Sequence, residues 1–224
     1  MTPRVSALCC VAGLIALVGC DSTEPARYSE GEIDYFVEIA VGTEFSDEGE
    51  FIRRWAKDIR VRVIGDATPA DLDVVNAVVS EVNGLVSAVR VAVVAEGADA
   101  DINIVFAPQS EFPDLDPLYV PGNEGFFVIG WDRSCEIQFA RILIASDLDS
   151  DRRRAHLIRE ELTQSLGLPQ DSFRYPGSIF YQRASEVTEY LPIDRAVIEM
   201  LYRPEVDPCM NSEAVRAALR RVRA

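Results

Sequence analysis

The sequence predicts a single domain of the mixed α/β (α+β) class, with a twisted mixed sheet packed on a long helix. The sheet is predicted because apolar and polar residues alternate over residues 59–64 and again over residues 101–106. The helical layer is predicted because apolar residues recur with the 3.6-residue period after Thr68 and again over residues 151–166. Strands and helices that alternate in this way bury their apolar faces against each other. We therefore place one domain at residues 33–224.

The composition is that of an ordinary globular protein with one core. Of the 224 residues, 48% are hydrophobic, 26% are charged and 8% are aromatic. The formal charge of −15, from 22 basic against 37 acidic residues, opposes binding to a nucleic-acid backbone. We expect no nucleic-acid partner. Because His156 is the single histidine, sites built from two or three histidines are excluded.

The individual elements follow from these periodicities and from the turn residues between them. In chain order we predict a strand at 35–41, an acidic loop at 43–50, a strand at 59–64, a helix from Thr68 with apolar residues recurring to Val89, a strand at 101–106, an irregular loop at 109–123, strands at 126–131 and 137–145, and helices at 151–166, 193–202 and 212–222. Thr68, Pro69 and Asp71 are typical of the N-cap, N1 and N3 positions. Gly167 is a typical C-terminal stop.

The N-terminus has the features of an export signal. In residues 1–19, Arg4 precedes an apolar run that is too short to span a bilayer, which indicates a signal peptide. The run ends Leu17-Val18-Gly19-Cys20, which resembles the lipobox of bacterial lipoproteins. We expect cleavage before Cys20 and acylation of its thiol, and residues 20–32 as the lipidated N-terminus and tether. The alternative is an uncleaved or ordinary signal peptide in which Cys20 is incidental.

This N-terminus predicts a location as well as an anchor. The expected site is the cell envelope, with the protein held by its lipid on a membrane and facing the periplasm. Asp21 follows the acylated position, where lipoprotein sorting in some bacteria reads it as a signal for the inner membrane. The membrane is thus an expected partner, through the lipid alone.

Two cysteines remain for the folded part, Cys135 and Cys209. An even pair in an oxidising compartment favours a disulfide. The alternative is two separate buried thiols, which pack as small hydrophobic groups.

The helix predicted at residues 151–166 carries the chemistry. Ala155, Ile158, Leu162 and Leu166 form one apolar stripe toward the core. The following motif is Glu160-Glu161-x-x-Gln164-x-x-Gly167-x-x-Gln170. Its spacing resembles the metzincin signature H-E-x-x-H-x-x-G-x-x-H, with all three zinc-binding histidines replaced.

Other segments agree with this resemblance. Residues 55–63 and 100–106 resemble the first strand of a matrixin-type domain and the strand after its first helix. Residues 178–180 fall where such proteases have their Met-turn, with Phe180 in place of Met, and residues 191–202 resemble the terminal helix. With the lipobox, the chain resembles an uncharacterised bacterial lipoprotein family classified as a domain of unknown function. The resemblance implies a zincin-like fold.

The replacements argue against zinc chemistry. A catalytic zinc ion needs about three imidazole, thiolate or carboxylate ligands and an open position for water. Glu160 offers a carboxylate at the first degenerate position, but Gln164 and Gln170 offer neutral amides. Glu161 occupies the position of the general base, yet without a metal it has no acidified water to deprotonate. We predict no cofactor and no metal.

Three readings of the motif stay open. One is a shifted metal site of His156, Glu160 and Gln164, since residues four apart lie on one side of a helix; otherwise His156 is expected to be solvated or capping. Another is acid–base work by Glu160 and Glu161 without a metal. The third, which we favour, is that Glu160, Gln164 and Gln170 bond to each other, to the backbone, or to Arg159 or Arg174.

The basic run Arg152-Arg153-Arg154 is expected to form solvated salt bridges at the helix start. Its expected partners are the nearby acids Asp147, Asp149 and Asp151.

Taken together, these features predict a membrane-anchored lipoprotein that is a non-catalytic binding or scaffold module, with a peptide or protein partner in an apolar groove beside the sheet edge. The alternative is a divergent (metallo)hydrolase with Glu161 as general base, assisted by Tyr181 or Tyr175. A structural lipoprotein without a ligand is the third possibility.

Overall fold

The computed structural model describes residues 25–41 and 49–224. Five strands form one sheet in the order β2-β1-β3-β5-β4. The strands are β1 (Ile59–Gly65), β2 (Val91–Val93), β3 (Ile102–Ala107), β4 (Gly125–Trp131) and β5 (Ile137–Ala145). The helices are α1 (Glu30–Ala40), α2 (Pro69–Leu85), α3 (Phe112–Leu115), α4 (Asp151–Gln164), α5 (Pro192–Leu201) and α6 (Ser212–Leu219).

The sheet is mixed because one edge strand runs against the others. β2, β1, β3 and β5 pair in parallel, and β4 pairs with β5 antiparallel through a tight connection. α2 and α4 pack against each other, and α4 also contacts β4 and β5. The predicted fold class is confirmed: a mixed sheet packs on the helix that carries the degenerate motif.

Most predicted elements are confirmed. The strands predicted at 59–64, 101–106, 126–131 and 137–145 are β1, β3, β4 and β5, and the helices predicted after Thr68 and at 151–166, 193–202 and 212–222 are α2, α4, α5 and α6. Thr68 and Asp71 form a capping box, in which the Thr68 side chain accepts from the Asp71 N–H and Asp71 accepts from the Thr68 N–H. α2 ends at Leu85, before the predicted Val89.

The prediction of a strand at residues 35–41 is wrong, because this segment belongs to helix α1. Ser29 and Glu32 form a capping box at its start. Ile33, Phe36 and Ala40 then recur at helical spacing and are fully buried. The aromatic and β-branched residues that suggested a strand pack against α5 and α6 instead.

Two further expectations need correction. The segment 109–123 is not irregular throughout, since it contains a short 3₁₀ helix (Gln109–Glu111) and α3. The tether predicted through residue 32 is folded from Pro25 onward: Ala26 forms an antiparallel bridge with Arg223, and Tyr28 is buried. The start of the described chain is therefore fixed beside its last residues.

Several predicted features lie outside the described residues, namely the signal peptide, Cys20, Asp21 and most of the acidic loop. Within the described residues, no helix has the length and apolar character needed to cross a membrane. The predicted disulfide between Cys135 and Cys209 is present and joins the β4–β5 connection to the segment before α6.

Candidate functional site

The motif helix α4 is held at both ends. At its start, the Ser150 side chain accepts a hydrogen bond from the Arg153 N–H at 3.1 Å. At its end, Gly167 has a φ of 117°. The backbone there passes so close to the segment before β1 that a Cβ atom on Gly167 would lie 2.1 Å from the Arg53 carbonyl oxygen. Ile158, Leu162 and Leu166 are buried as predicted. These contacts fix the direction of the opposite face of α4.

That opposite face borders a cleft of about 200 Å³. Its walls are the start of β4, the polar face of α4 and the loop at residues 181–184. The lining side chains are mainly charged or polar and include Glu124, Arg153, His156, Glu160, Glu161, Gln164, Asp171, Tyr181 and Arg183. An apolar groove was expected here, so that expectation is wrong: the polar motif residues face the cleft because the apolar stripe of α4 faces the core.

The structure brings Glu160 and Gln164 into this cleft but leaves Gln170 outside its lining. Glu160 Oε2 lies 3.2 Å from His156 Nε2. Gln164 Nε2 donates to Asp171 Oδ1 at 2.8 Å. The Gln170 N–H donates to the Ile39 carbonyl at 3.1 Å, which ties the turn after α4 to α1. The three degenerate positions therefore do not converge on one point.

The expected arginine partners of this motif are wrong. Arg159 donates to Glu81 on α2 at 2.8 Å and stacks over Tyr190. Arg174 donates to Glu38 on α1 at 3.2 Å. Each arginine pairs with an acid on a neighbouring helix, so Glu160 lies beside His156 and Gln164 donates to Asp171 instead.

Glu161 lies directly beneath β4. Its side chain is buried, and a Cβ atom on Gly125 would come within 2.6 Å of Glu161 Oε1. Gly125 is thus the residue that leaves room for a carboxylate under the first residue of the edge strand. The candidate general base lines the cleft together with Tyr181. Tyr175 does not line it, since its ring packs edge-on against Tyr35 with centroids 4.7 Å apart.

His156 is buried, so its predicted role as a solvated or capping residue is wrong. Its Nδ1 donates to the Val187 carbonyl at 2.7 Å, and its Nε2 faces Glu160. The preceding carbonyls of this loop accept in turn from the helix start: Ser185 from Arg153 Nη1, and Glu186 from Arg152 Nε. The start of α4 therefore holds the loop that forms one wall of the cleft. Sequence periodicity alone does not indicate these contacts.

The basic run Arg152-Arg153-Arg154 forms most of its ion pairs with acids other than the predicted ones. Arg153 pairs with Glu124 at 2.9 Å across the mouth of the cleft. Arg154 is buried and pairs with Asp71 on α2 at 2.8 Å, as well as with Asp151. Of the three acids expected to pair with this run, Asp151 alone does so among the described contacts. Arg153 and Arg154 thus join neighbouring elements, whereas the Arg152 side chain is 70% exposed.

The residues present do not fit a catalytic zinc ion. Among the described residues, no three or more His, Cys, Asp or Glu side chains are grouped so that they could hold a metal ion. His156 and Glu160 are neighbours, but the Gln164 amide is directed to Asp171. The shifted arrangement of His156, Glu160 and Gln164 therefore supplies two donors where a zinc site needs about three.

The segment at the Met-turn position is organised by a buried polar network. Ser178 donates to Asp194 Oδ1 at 2.5 Å and lies 2.9 Å from the Tyr35 hydroxyl of α1. The Asp194 carboxylate also accepts from the N–H groups of Leu191 and Ile179. This network connects α1, the turn and α5. In the sequence, its signal is limited to the position of Asp194 at N3 of α5.

This network predicts a pH dependence of stability. Burial raises the pKa of Asp194, although its hydrogen bonds from Ser178 and from the Leu191 and Ile179 N–H groups act the other way. Between the ordinary value of 3.8 and the raised one, the native state binds more protons than the unfolded state, so this contribution to stability falls as pH rises. We expect Asp194→Asn to remove that slope. Denaturant unfolding between pH 3.5 and 7 measures the free energy of unfolding of both proteins. The same dependence on pH in the unaltered protein and in Asp194→Asn would contradict the prediction.

The fold and the cleft define a class: a single mixed α/β domain whose edge strand and motif helix enclose a polar cleft without a metal-binding cluster among the described residues. The chain belongs to a family described as a protein of unknown function (DUF2927), whose sequence model matches residues 30–221. The predicted membership in a family of unknown function is thereby confirmed. No curated protein matches the chain in sequence.

Solved structures with a similar fold include two of myroilysin. One is 13% identical in sequence and has a TM-score of 0.44, covering 68% of this chain and 97% of that one. The other is a crystal structure that is also 13% identical, has a TM-score of 0.40, and covers 75% of this chain and 92% of that one.

Proposed function

We propose that the protein is a non-catalytic binding module of the bacterial cell envelope that takes up an extended peptide segment along the outer edge of β4. The observation that carries this proposal is the open edge of β4 directly above the cleft. β4 pairs with β5 on one side, and in the part of the chain that the structure describes no strand pairs with its other side. An unpaired strand edge is a ready template for an added strand.

The hydrogen-bond ladder tells which residues of β4 face outward. The Ala145 N–H donates to the Glu124 carbonyl at 2.9 Å, so this opposed pair is hydrogen-bonded. In an antiparallel ladder, bonded and non-bonded pairs alternate. The pairs of β5 with Gly125, Phe127 and Ile129 are therefore of the non-bonded kind, and these three residues direct their N–H and C=O groups to the open edge.

A side chain caps the opposite edge of the sheet at one residue. Asn83 of α2 donates through Nδ2 to the Val91 carbonyl at 2.8 Å and accepts from the Val91 N–H at 2.9 Å. Its amide thus takes the place of a neighbouring strand at Val91, the first residue of the three-residue β2. The contrast between a capped edge and an open edge beside a cleft supports binding at β4.

Within the described ranges 25–41 and 49–224, no donor set fits a zinc ion, and this supports a non-catalytic role. One observation favours the hydrolase as a second candidate: Glu161 and Tyr181 line the same cleft. A hydrolase of this kind would use Glu161 as general base without a metal. The two candidates therefore differ in whether a bound peptide is cleaved.

The lipid anchor on Cys20 is part of this proposal. Its support is the lipobox and the short distance to the folded domain. Residues 20–24 are five residues, which span at most about 18 Å when fully extended. The domain would then stay close to the membrane surface. Mass spectrometry of the N-terminal peptide tests this, because a diacylglyceryl adduct on Cys20 is expected and an unmodified N-terminus at another residue would exclude it.

Binding at β4 is tested with a proline that removes a single outward donor. Ile129→Pro deletes the outward N–H of β4 while leaving the ladder to β5 intact, since edge strands tolerate proline on their open side. We expect the purified full-length protein in detergent to enrich peptides from a randomised decapeptide library, and Ile129→Pro to lose this enrichment by tenfold or more. Ile129→Ala keeps the N–H and is the control.

The possible outcomes separate the candidates. No enrichment by the unaltered protein, or equal enrichment by Ile129→Pro, would overturn binding at the edge of β4. Enriched peptides that are recovered intact support the binding module. Cleaved peptides, with cleavage lost in Glu161→Gln, would establish the hydrolase instead.

A further inference from the structure

The disulfide joins two cysteines whose backbone conformation is rare for residues with a side chain. The φ angles of Cys135 and Cys209 are 59° and 63°, and among the described residues these two are the non-glycine residues with a positive φ. A Cβ atom makes this region unfavourable, so the surrounding structure must offset its cost. Because the bridge fixes both residues at once, the closed form carries a backbone strain that the open form is free to lose.

The two cysteines differ in their access to solvent. Cys209 is exposed, whereas Cys135 is buried with 5% of its surface exposed. Thiol–disulfide exchange begins when a thiolate reaches one of the two sulfur atoms. Disulfides that are strained or exposed are the ones that exchange readily. The bridge is therefore accessible to a thiolate from the side of Cys209.

Backbone hydrogen bonds hold the bridged segments in place as well. Both segments bond to the extended residues 52–54, which precede β1. Ile52 accepts from the Cys209 N–H at 2.9 Å and donates, at 2.8 Å, to the carbonyl of the residue that follows. Arg54 donates to the Cys135 carbonyl at 3.3 Å and accepts, at 2.9 Å, from the N–H two residues further on. These four bonds keep the cysteines near each other when the S–S bond is open, so opening does not require unfolding.

Residues 52–54 also lie against the turn that ends the motif helix α4. The Arg53 carbonyl is the group that a Cβ atom on Gly167 would approach to 2.1 Å. A change of φ at Cys135 or Cys209 would move a peptide group that is bonded to residues 52–54. The state of the bridge is therefore coupled to the backbone that supports the end of α4.

We propose that the bridge between Cys135 and Cys209 is a thiol–disulfide exchange site, and that its opening by a thiol reductant loosens residues 52–54 behind α4. A thiolate attacks Sγ of Cys209, so that a mixed disulfide forms, the S–S bond breaks, and Cys135 leaves as a thiolate that takes up a proton. A second thiolate attacks the sulfur atom of the reductant in the mixed disulfide, and Cys209 leaves in the same way. The bridge gains two electrons, and the reductant is oxidised to its disulfide. This inference does not depend on a ligand in the cleft.

The first test asks whether the bridge opens in the folded protein. The full-length protein in detergent is incubated with glutathione at about 10 mM, at urea concentrations below the unfolding transition, then alkylated and mapped by mass spectrometry. We expect a rate of opening that changes by less than about twofold with urea, because the native state itself is attacked. A rate that rises in parallel with the rate of unfolding, or a bridge that stays closed, would overturn the exchange site.

The variants Cys135→Ser and Cys209→Ser form a matched pair, since each leaves one thiol of the bridge. Reaction with glutathione disulfide should be at least about tenfold faster for the exposed thiol that remains in Cys135→Ser than for the buried thiol in Cys209→Ser. Equal rates, or the reverse order, would overturn attack at Cys209. If either variant does not fold, the urea experiment on the unaltered protein decides.

Hydrogen exchange tests the coupling to residues 52–54. In the reduced full-length protein, the amides of Ile52 and Arg54 should exchange at least about tenfold faster than in the oxidised protein. The amide of Ile104 in β3 is the internal control and should be equally protected in both forms. Unchanged protection of Ile52 and Arg54 would overturn the loosening. Lost protection of Ile104 would show that reduction unfolds the domain and would overturn a local opening.

Discussion

Gly167→Ala is expected to destabilise the protein by roughly 4 kcal/mol or more, a large share of the about 5–15 kcal/mol by which an ordinary domain is stable. The φ of 117° at this residue is open to glycine and costs other residues on the order of 1–3 kcal/mol. In addition, the new Cβ atom would lie 2.1 Å from the Arg53 carbonyl oxygen, which is backbone and cannot swing away. Thermal and denaturant unfolding of the purified variant measure the loss.

The matched control is Gly84→Ala. Gly84 lies in the last turn of α2, and a Cβ atom there has nothing within 4 Å. We expect this substitution to be neutral or to stabilise by up to about 1 kcal/mol, since alanine is the better helix former. Equal effects of the two substitutions would contradict the role assigned to the turn at Gly167.

Arg154→Met is expected to cost about 3–5 kcal/mol, the second largest effect predicted for the chain. Arg154 and Asp71 are both buried and pair at 2.8 Å between α4 and α2. Methionine keeps the apolar stem but leaves the Asp71 carboxylate buried without its cation. The loss should be visible as a lower midpoint of urea unfolding with an unchanged slope.

Arg220→Met is the control for this pair. Arg220 donates to the Glu30 carboxylate at 2.9 and 2.7 Å, so its hydrogen bonds are about as short as those of the buried pair. Both side chains, however, are more than half exposed. An exposed pair contributes about 1 kcal/mol at most. A result in which Arg220→Met costs as much as Arg154→Met would show that burial does not decide the strength of these pairs.

Much of the fold could be predicted because its elements have strong local signals. Thr68, Pro69 and Asp71 specify the start of α2 so well that the capping box follows from the sequence. Ser29 and Glu32 carry the same kind of signal at the start of α1. The strand predicted at 35–41 depended on the β-branched and aromatic residues that follow them. β2 has three residues and is held by the side chain of Asn83, so it offers too few positions for any period to be recognised.

The site could be predicted in part because its motif also lies within one local element, the helix α4. Helix geometry places Glu160 and Gln164 on one face, so the motif alone locates the cleft on α4. The partners of these residues come from loops: Val187 positions His156, and Asp171 receives the Gln164 amide. Loop contacts of this kind depend on how distant segments meet, and no spacing in the sequence encodes them.

The amide cap that Asn83 places on β2 also limits stoichiometry. Growth of a sheet from molecule to molecule needs two free edges on every copy, one to receive and one to offer. β2 has three residues and is capped at Val91, so it offers no edge comparable to the seven residues of β4. Binding at β4 would consequently be saturable at one segment per molecule.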